Sequence, residues 1–194
     1  MLAGYARGVA GRDATFEELL EVMRQAAAAL RAAGVSFVLG GGIAVWARGG
    51  PETEHDLDLF VKPEDAERAL ETLAEAGCRP EKPPEGWLYK AWCGDVMVDL
   101  IFKPNGMTVD ESFFERVEEL EVDAVRLPVM GLEDVLVTKL LSLGEHEVDY
   151  ESVLEIARAV REQIDWDDVR RRTNGSPYAR AFFTLVDELR LTGA

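Results

Sequence analysis

The sequence predicts an α/β (α+β) fold, with a mixed sheet flanked by helices and a C-terminal helical bundle behind it. Three observations carry the expectation. Helical and strand patterns alternate from Thr15 to Gly77, two apolar stretches joined by Gly94-Asp95 read as a hairpin, and beyond Gly131 only helical periodicity remains. A chain of 194 residues can bury one sizeable core. The change of pattern divides it into a core over residues 1–130 and a helical subdomain over 131–194 packed on that core.

The elements follow in order. Thr15 and Glu18 form a capping-box pair, Phe16, Leu19, Leu20, Met23, Ala27 and Leu30 share one helical face, and Gly34 stops the helix. Val35 to Leu39 is an apolar strand, Gly40-Gly41-Gly42 a turn, and Ile43 to Arg48 a short helix. Gly49-Gly50-Pro51 breaks the chain before the strand that contains Asp56-Leu57-Asp58. Pro63 opens a helix with Ala66, Ala69, Leu70, Leu73 and Ala76 buried and Gly77 at its end. In the hairpin, turn residues Gly94 and Asp95 pair Cys93 with Val96 and place Lys90 opposite Asp99. A helix over about Asp110 to Glu121 and an extended piece, AVRLPVM, lead to Gly131. Helices are then expected over Leu132 to Leu143, Tyr150 to Ile164, Trp166 to Arg172 and Pro177 to Leu191, the last with Ser176 as N-cap.

The chemistry is concentrated between Val35 and Lys62. Side chains alternate along a strand, so Asp56 and Asp58 project to one face while Leu57 and Leu59 take the other. Two neighbouring carboxylates repel unless a cation or a proton relieves them. Hard oxygen ligands of this kind suit Mg²⁺, which completes its shell with water and phosphate oxygens. A glycine turn at a helix start lets a phosphate approach backbone N–H groups, which makes Gly41 and Gly42 candidate nucleotide-binding residues.

The formal net charge of −16 disfavours non-specific binding to nucleic acid or an anionic membrane, since phosphate contacts need Lys and Arg. Solubility alone accounts for such a charge equally well. Cationic small molecules or basic proteins are easier partners. Arg161, Arg170, Arg171, Arg172 and Arg180 are the one local supply of positive charge for an RNA end, so nucleic acid stays an open question. Cys78 and Cys93 form no C-x-x-C pair and suggest no disulfide framework, so a reducing, cytoplasmic setting is the expectation. No apolar run approaches membrane-spanning or signal-peptide form. With only His55 and His146, both read as surface or supporting residues, a zinc site is not expected.

A hydrophobic residue, Gly-Gly, a spacer of thirteen residues and Asp-x-Asp together resemble the nucleotidyltransferase superfamily with the DNA polymerase β-like fold. The resemblance implies a third carboxylate on a later strand, matched by Asp99 in VMVDLIF. It also implies transfer of NMP from an NTP to an acceptor hydroxyl, with release of pyrophosphate. Asp56, Asp58 and Asp99 would be catalytic and would hold two Mg²⁺ ions, and Asp99 would take the hydroxyl proton. LEDVLVTKLLSL is similar to AbiEii-like members, including toxins of toxin-antitoxin systems, whose matching Lys faces the nucleotide phosphates. Lys139 falls inside an apolar helical stripe, where a charge needs a partner or a route to water.

Several positions keep two readings. Lys90 is a cross-strand partner of Asp99 or a contact to phosphate or acceptor, and Asp149 is a helix N-cap or a site residue. Trp87 and Trp92 are core residues or stacking platforms. The sequence departs from relatives in having Gly-Gly for Gly-Ser and Pro51-Glu52-Thr53 for Pro-Arg-x-Thr. Acceptors compatible with the resemblance are a tRNA end, a cationic antibiotic or a protein, with a cognate antitoxin as a possible partner. A different class also fits, a catalytically silent nucleotide-binding or antitoxin-like interaction module, which would gain if Asp99 turned away from the Asp56–Asp58 face.

Overall fold

The computed structural model describes residues 14–53, 56–145 and 148–192, so His55 and His146 lie outside the described residues. Helix α1 (Phe16–Ala32) opens on the expected capping box. The Thr15 hydroxyl accepts from the Glu18 N–H at 3.2 Å, and the Glu18 carboxylate accepts from the Thr15 N–H at 2.8 Å. Its buried face holds Leu19, Leu20, Met23, Ala27 and Leu30, while Phe16 packs edge-on against Trp46 at 4.9 Å.

One seven-stranded mixed sheet organises the chain. In sequence its strands are β1 (Phe37–Leu39), β2 (Leu57–Val61), β3 (Arg79–Glu81), β4 (Leu88–Cys93), β5 (Val96–Ile101), β6 (Glu118–Val122) and β7 (Val125–Val129). In space the order is β3-β4-β5-β2-β1-β7-β6. Strands β2 and β5 run parallel, as do β1 and β7, and the remaining neighbours are antiparallel. Helix α2 (Gly41–Trp46) follows β1 directly. A 3₁₀ turn over Pro63–Asp65 precedes α3 (Ala66–Glu75), and α3 packs with α1. Ala76 lies exposed at the C-cap, outside the buried face expected to contain it.

The structure departs from the sequence reading in three further places. Only Glu111–Phe114 (α4) of the helix expected over Asp110 to Glu121 is helical, and Glu118–Val122 is the first strand of a hairpin with β7. Its turn residues, Asp123 and Ala124, adopt positive φ of 47° and 61°, and Asp123 is ion-paired to Arg24. A glutamate-rich strand and a turn without glycine hide the hairpin, because glutamate favours helix and such turns are usually marked by Asn-Gly or Asp-Gly. Strand β3 also escapes the sequence reading, since it is three exposed residues including Pro80, which an edge strand tolerates. Third, Cys78 and Cys93 form a disulfide. The β3–β4 register pairs Arg79 with Trp92, which brings the two cysteines opposite each other with Cα atoms 4.3 Å apart. The expectation of a reducing compartment therefore loses its basis in the cysteines.

Beyond β7 come α5 (Leu132–Ser142), α6 (Tyr150–Val160), α7 (Trp166–Thr173) and α8 (Pro177–Glu188), with a 3₁₀ turn over Arg161–Gln163. Ser176 caps α8 by accepting from the Ala179 N–H at 3.2 Å. Helix α5 packs against α2 and against α6, α7 and α8. Ile156, Val169, Phe182 and Val186 from these helices belong to the same continuous core as Leu39, Leu59 and Leu100 of the sheet. Asp134, buried in α5, is ion-paired to Arg172 of α7, and this joins two helices at a polar position within the apolar packing. None of the helices among the described residues is long and apolar enough to cross a membrane.

Candidate active site

The central strands set the positions of the candidate carboxylates. Apolar residues at Leu57, Leu59, Val98 and Leu100 are buried, and the alternation of the strands leaves Asp58 and Asp99 on the other face. The parallel β2–β5 register places Asp58 directly beside Asp99, and the antiparallel β4–β5 register places Lys90 on the far side of Asp99. Lys90, Asp99 and Asp58 thus form a row across three strands. Asp56 stands just before β2, close enough to Asp58 and Asp99 for its charge to raise the proton affinity of both.

The glycines fit against this row. The Gly40 N–H donates to the Asp58 carbonyl at 2.9 Å, which ties the turn to β2. Gly41 has φ of 55°, and a Cβ there would lie 1.7 Å from Asp58 Oδ2. A Cβ on Gly42 would lie 2.6 Å from Thr53 Oγ1. The Gly-Gly pair is therefore required by the approach of a carboxylate and a threonine, in addition to any ligand. The N–H groups of Gly41 and Gly42 lie in the first turn of α2, where a helix has no internal acceptors for them.

Charge in the site is strongly perturbed. Burial, followed by the neighbouring charges of Asp99 and Asp56, pushes the Asp58 carboxyl up to about 7, against the opposing pull of Lys139 and Lys90. Asp99 is also raised, by burial first and by Asp56 and Glu81, while Lys90 pulls it down. The Lys90 ammonium donates to Asp99 Oδ1 at 3.0 Å, and the two side chains are 16% and 10% exposed. Lys139 on α5 is half-buried, and its charge reaches both Asp58 and Asp149. Asp149 caps α6 by accepting from the Glu151 and Ser152 N–H groups at 3.0 and 3.3 Å, and the Ser152 hydroxyl first, then these backbone bonds, hold its carboxyl below the usual range.

The structure thus brings Asp56, Asp58, Asp99, Lys90, Gly41 and Lys139 into one electrostatic neighbourhood. Lys90 is the cross-strand partner of Asp99, and Asp149 is a helix cap within range of Lys139. Trp87 is 42% exposed, whereas Trp92 is half-buried, donating to Glu81 Oε2 at 2.8 Å with Arg79 stacked on its ring. Sequence reasoning passed over Glu81, which lies opposite Lys90 on β3, and Thr53, which packs on Gly42. Nothing in Arg79-Pro80-Glu81 marks a strand, and Thr53 carries no signal apart from its place just before the Asp pair.

Among the described residues no three His, Cys, Asp or Glu side chains form a ready-made metal cage. The donor chemistry nonetheless fits a hard divalent cation, because the repulsion that drives Asp58 toward proton uptake is the repulsion a metal ion relieves.

A carboxylate row on a mixed sheet, with a glycine turn pressed against it, defines the class: this is a nucleotidyltransferase. The chain belongs to the family described as uncharacterised nucleotidyltransferase, which matches residues 6–187. No curated protein sequence matches it. The fold is similar to the solution structure of the antibiotic-resistance factor ANT(2'')-Ia, with a TM-score of 0.66 and 12% identity over 91% of this chain and 98% of that one. A crystal structure of ANT(2'')-Ia in complex with adenylyl-2''-tobramycin gives a TM-score of 0.64 at 12% identity, covering 84% and 98% of the two chains. Lincomycin-bound LnuA, a lincosamide antibiotic adenylyltransferase, gives a TM-score of 0.52 at 16% identity, covering 75% and 96%.

Proposed function

We propose that the protein transfers NMP from an NTP to a hydroxyl of a small cationic acceptor, with Mg²⁺ as cofactor and pyrophosphate as the second product. The observation that carries the reading is the direct register of Asp58 with Asp99, with Gly41 packed against the Asp58 carboxylate. An Asp99 turned away from this face would have favoured the silent-module reading, and the register instead sets Asp99 beside Asp58. Asp56 and Asp58, with Asp99 beside them, would hold the divalent cation, which when bound neutralises charge on the transferring phosphoryl group. Gly41 and Gly42 offer N–H groups to the phosphates, and Lys139 supplies a cation from α5 on the same side as Asp58. Asp99 is poised to accept the acceptor hydroxyl proton, because its raised affinity brings it closer to that task than an ordinary carboxylate.

The small cationic acceptor is supported by the arginines. Arg170 is paired with Asp187 at 2.8 Å, Arg171 with Asp168, Arg172 with Asp134 and Asp168, and Arg180 donates to the Asn174 carbonyl at 2.8 Å. Three of the five arginines thus sit beside carboxylates that lower the local positive potential, which favours a cation over an RNA end. The charge of −16 and Glu81, one strand beyond Lys90 and near enough for its charge to act on Asp99, favour a cation. The antibiotics bound by ANT(2'')-Ia and LnuA make aminoglycosides and lincosamides the first acceptors to try. Calorimetric titration of the four NTPs in Mg²⁺ tests the reading on the wild type and on Asp56→Ala/Asp58→Ala. Metal-dependent binding lost in the double variant identifies the nucleotide for acceptor screens by mass spectrometry. A folded wild type that binds none of the four refutes it.

A further inference from the structure

We propose that Lys90 is the resident cation of this site, and that it limits the protein to one bound divalent ion where the same site without that lysine would take two. The inference rests on the nucleotidyltransferase reading of Asp56, Asp58 and Asp99 given above, and assigns to Lys90 a positioning role within it.

The geometry is specific. The Lys90 ammonium lies 3.0 Å from Asp99 Oδ1 and 3.0 Å from Met97 Sδ. Both partners come from β5, so one strand fixes the ammonium at two points. Register places Glu81 of β3 opposite Lys90, and Asp99 opposite it on the other side, so the cation sits between two carboxylate-bearing strands. The pair is largely withdrawn from water, with side chains 16% and 10% exposed. A withdrawn ammonium does not leave its carboxylate without a replacement anion, since an unpaired buried charge is strongly unfavourable. Exposed lysine–carboxylate pairs, by contrast, exchange partners at little energetic penalty.

The consequence for metal binding follows from charge and from oxygen count. Asp99 Oδ1 is occupied by an N–H donor, and a dication brought to Asp99 would meet a fixed positive charge within a few ångströms in a poorly screened environment. Asp58 lies on the side of Asp99 away from Lys90, where a cation that also binds triphosphate would be held. Lys90 therefore stands in for a second ion. It supplies one positive charge to Asp99 permanently, independent of the metal concentration in solution.

The test counts ions. Mn²⁺ is titrated into the full chain holding the α,β-methylene analogue of the NTP identified by calorimetry, and bound ions are counted by electron paramagnetic resonance. The wild type is expected to bind one ion per chain and to show no exchange-coupled pair spectrum. Lys90→Met and Lys90→Gln, which remove the charge, are expected to bind two ions and to show the coupled spectrum, with the second ion at least about 100-fold tighter than in the wild type. Lys90→Arg keeps the charge and is expected to bind one. Circular dichroism establishes that each variant is folded, and the wild-type and Lys90→Arg counts stand if the neutral variants are not. Two ions in the wild type overturn the proposal, as does one ion in a folded neutral variant, the result expected of a merely structural cross-strand pair. A protein that binds the triphosphate but no metal refutes instead the reading on which the proposal rests.

Discussion

Replacing Asp58 by Asn should make the metal-free protein more stable above neutral pH while abolishing transfer. The Asp58 carboxyl is raised from an ordinary 3.8 to about 7 by burial and by the charges of Asp99 and Asp56. Its folded-state proton affinity exceeds the unfolded one, so folding is favoured below the unfolded value and the advantage disappears as pH climbs through the folded value. The rise from 3.8 to about 7, at about 1.36 kcal/mol for each tenfold change in proton affinity, gives a ceiling of about 4 kcal/mol, the penalty on the folded state above neutral pH. Asp58 is only partly withdrawn from solvent, and water reaching it reduces the effect to roughly 1–3 kcal/mol. Asparagine keeps the shape and never carries the charge. Urea denaturation followed by circular dichroism, in chelator at about pH 4 and about pH 8, measures the difference. The two proteins should coincide at the acid end, and the variant should lead at the alkaline end. Mg²⁺ should then stabilise the wild type and leave the variant unmoved. A variant equal to or weaker than the wild type at about pH 8 would refute the reasoning, because Asp58 would then carry a charge fully compensated by Lys139 and Lys90.

Other perturbations follow from the same structure. Gly41→Ala places a Cβ 1.7 Å from Asp58 Oδ2 at a φ of 55°, and should lower stability by about 2–4 kcal/mol and displace the carboxylate, read as lost NTP binding in calorimetry. Reducing the Cys78–Cys93 disulfide, or replacing both residues by Ser, should lower stability by about 3 kcal/mol in the chain-entropy account of a loop this short, measured by urea midpoint with and without dithiothreitol. Thr15→Ala removes the capping box of α1 and should reduce stability by about 1 kcal/mol, with the melting temperature as the check.

The sequence made the centre of the molecule legible because its signals there agree with one another. Alternation across Leu57 to Leu59, the Gly-Gly turn and the Gly94-Asp95 hairpin are each local, and together they fixed the Lys90–Asp99 pairing, which the β4–β5 register reproduces. The parallel pairing of β2 with β5 is a different matter, since nothing local specifies which strands become neighbours. That Asp99 lies beside Asp58 came from family resemblance. The edges were illegible for physical reasons. Strand β6 has the composition of a helix, its Asp123-Ala124 turn lacks glycine, and β3 is too short to show a period. The disulfide was missed because cysteine spacing says little until the register is known; once Arg79 faces Trp92, the two sulfurs have nowhere else to go.

Those two edges also bear on how the protein avoids its own copies. An outermost strand displays unpaired N–H and C=O groups, an invitation to strand addition by a second molecule. Here β6 carries Glu118, Glu119 and Glu121 along one margin, and β3 puts Pro80 between Arg79 and Glu81 on the other. The first margin repels an identical strand by charge, while the second lacks an N–H and is too brief to template one. The acidity that began as a whole-chain number therefore has a local address. Replacing Glu118, Glu119 and Glu121 by glutamine would strip that margin of its charge and leave a sheet edge undefended, so self-association of such a variant would begin at β6.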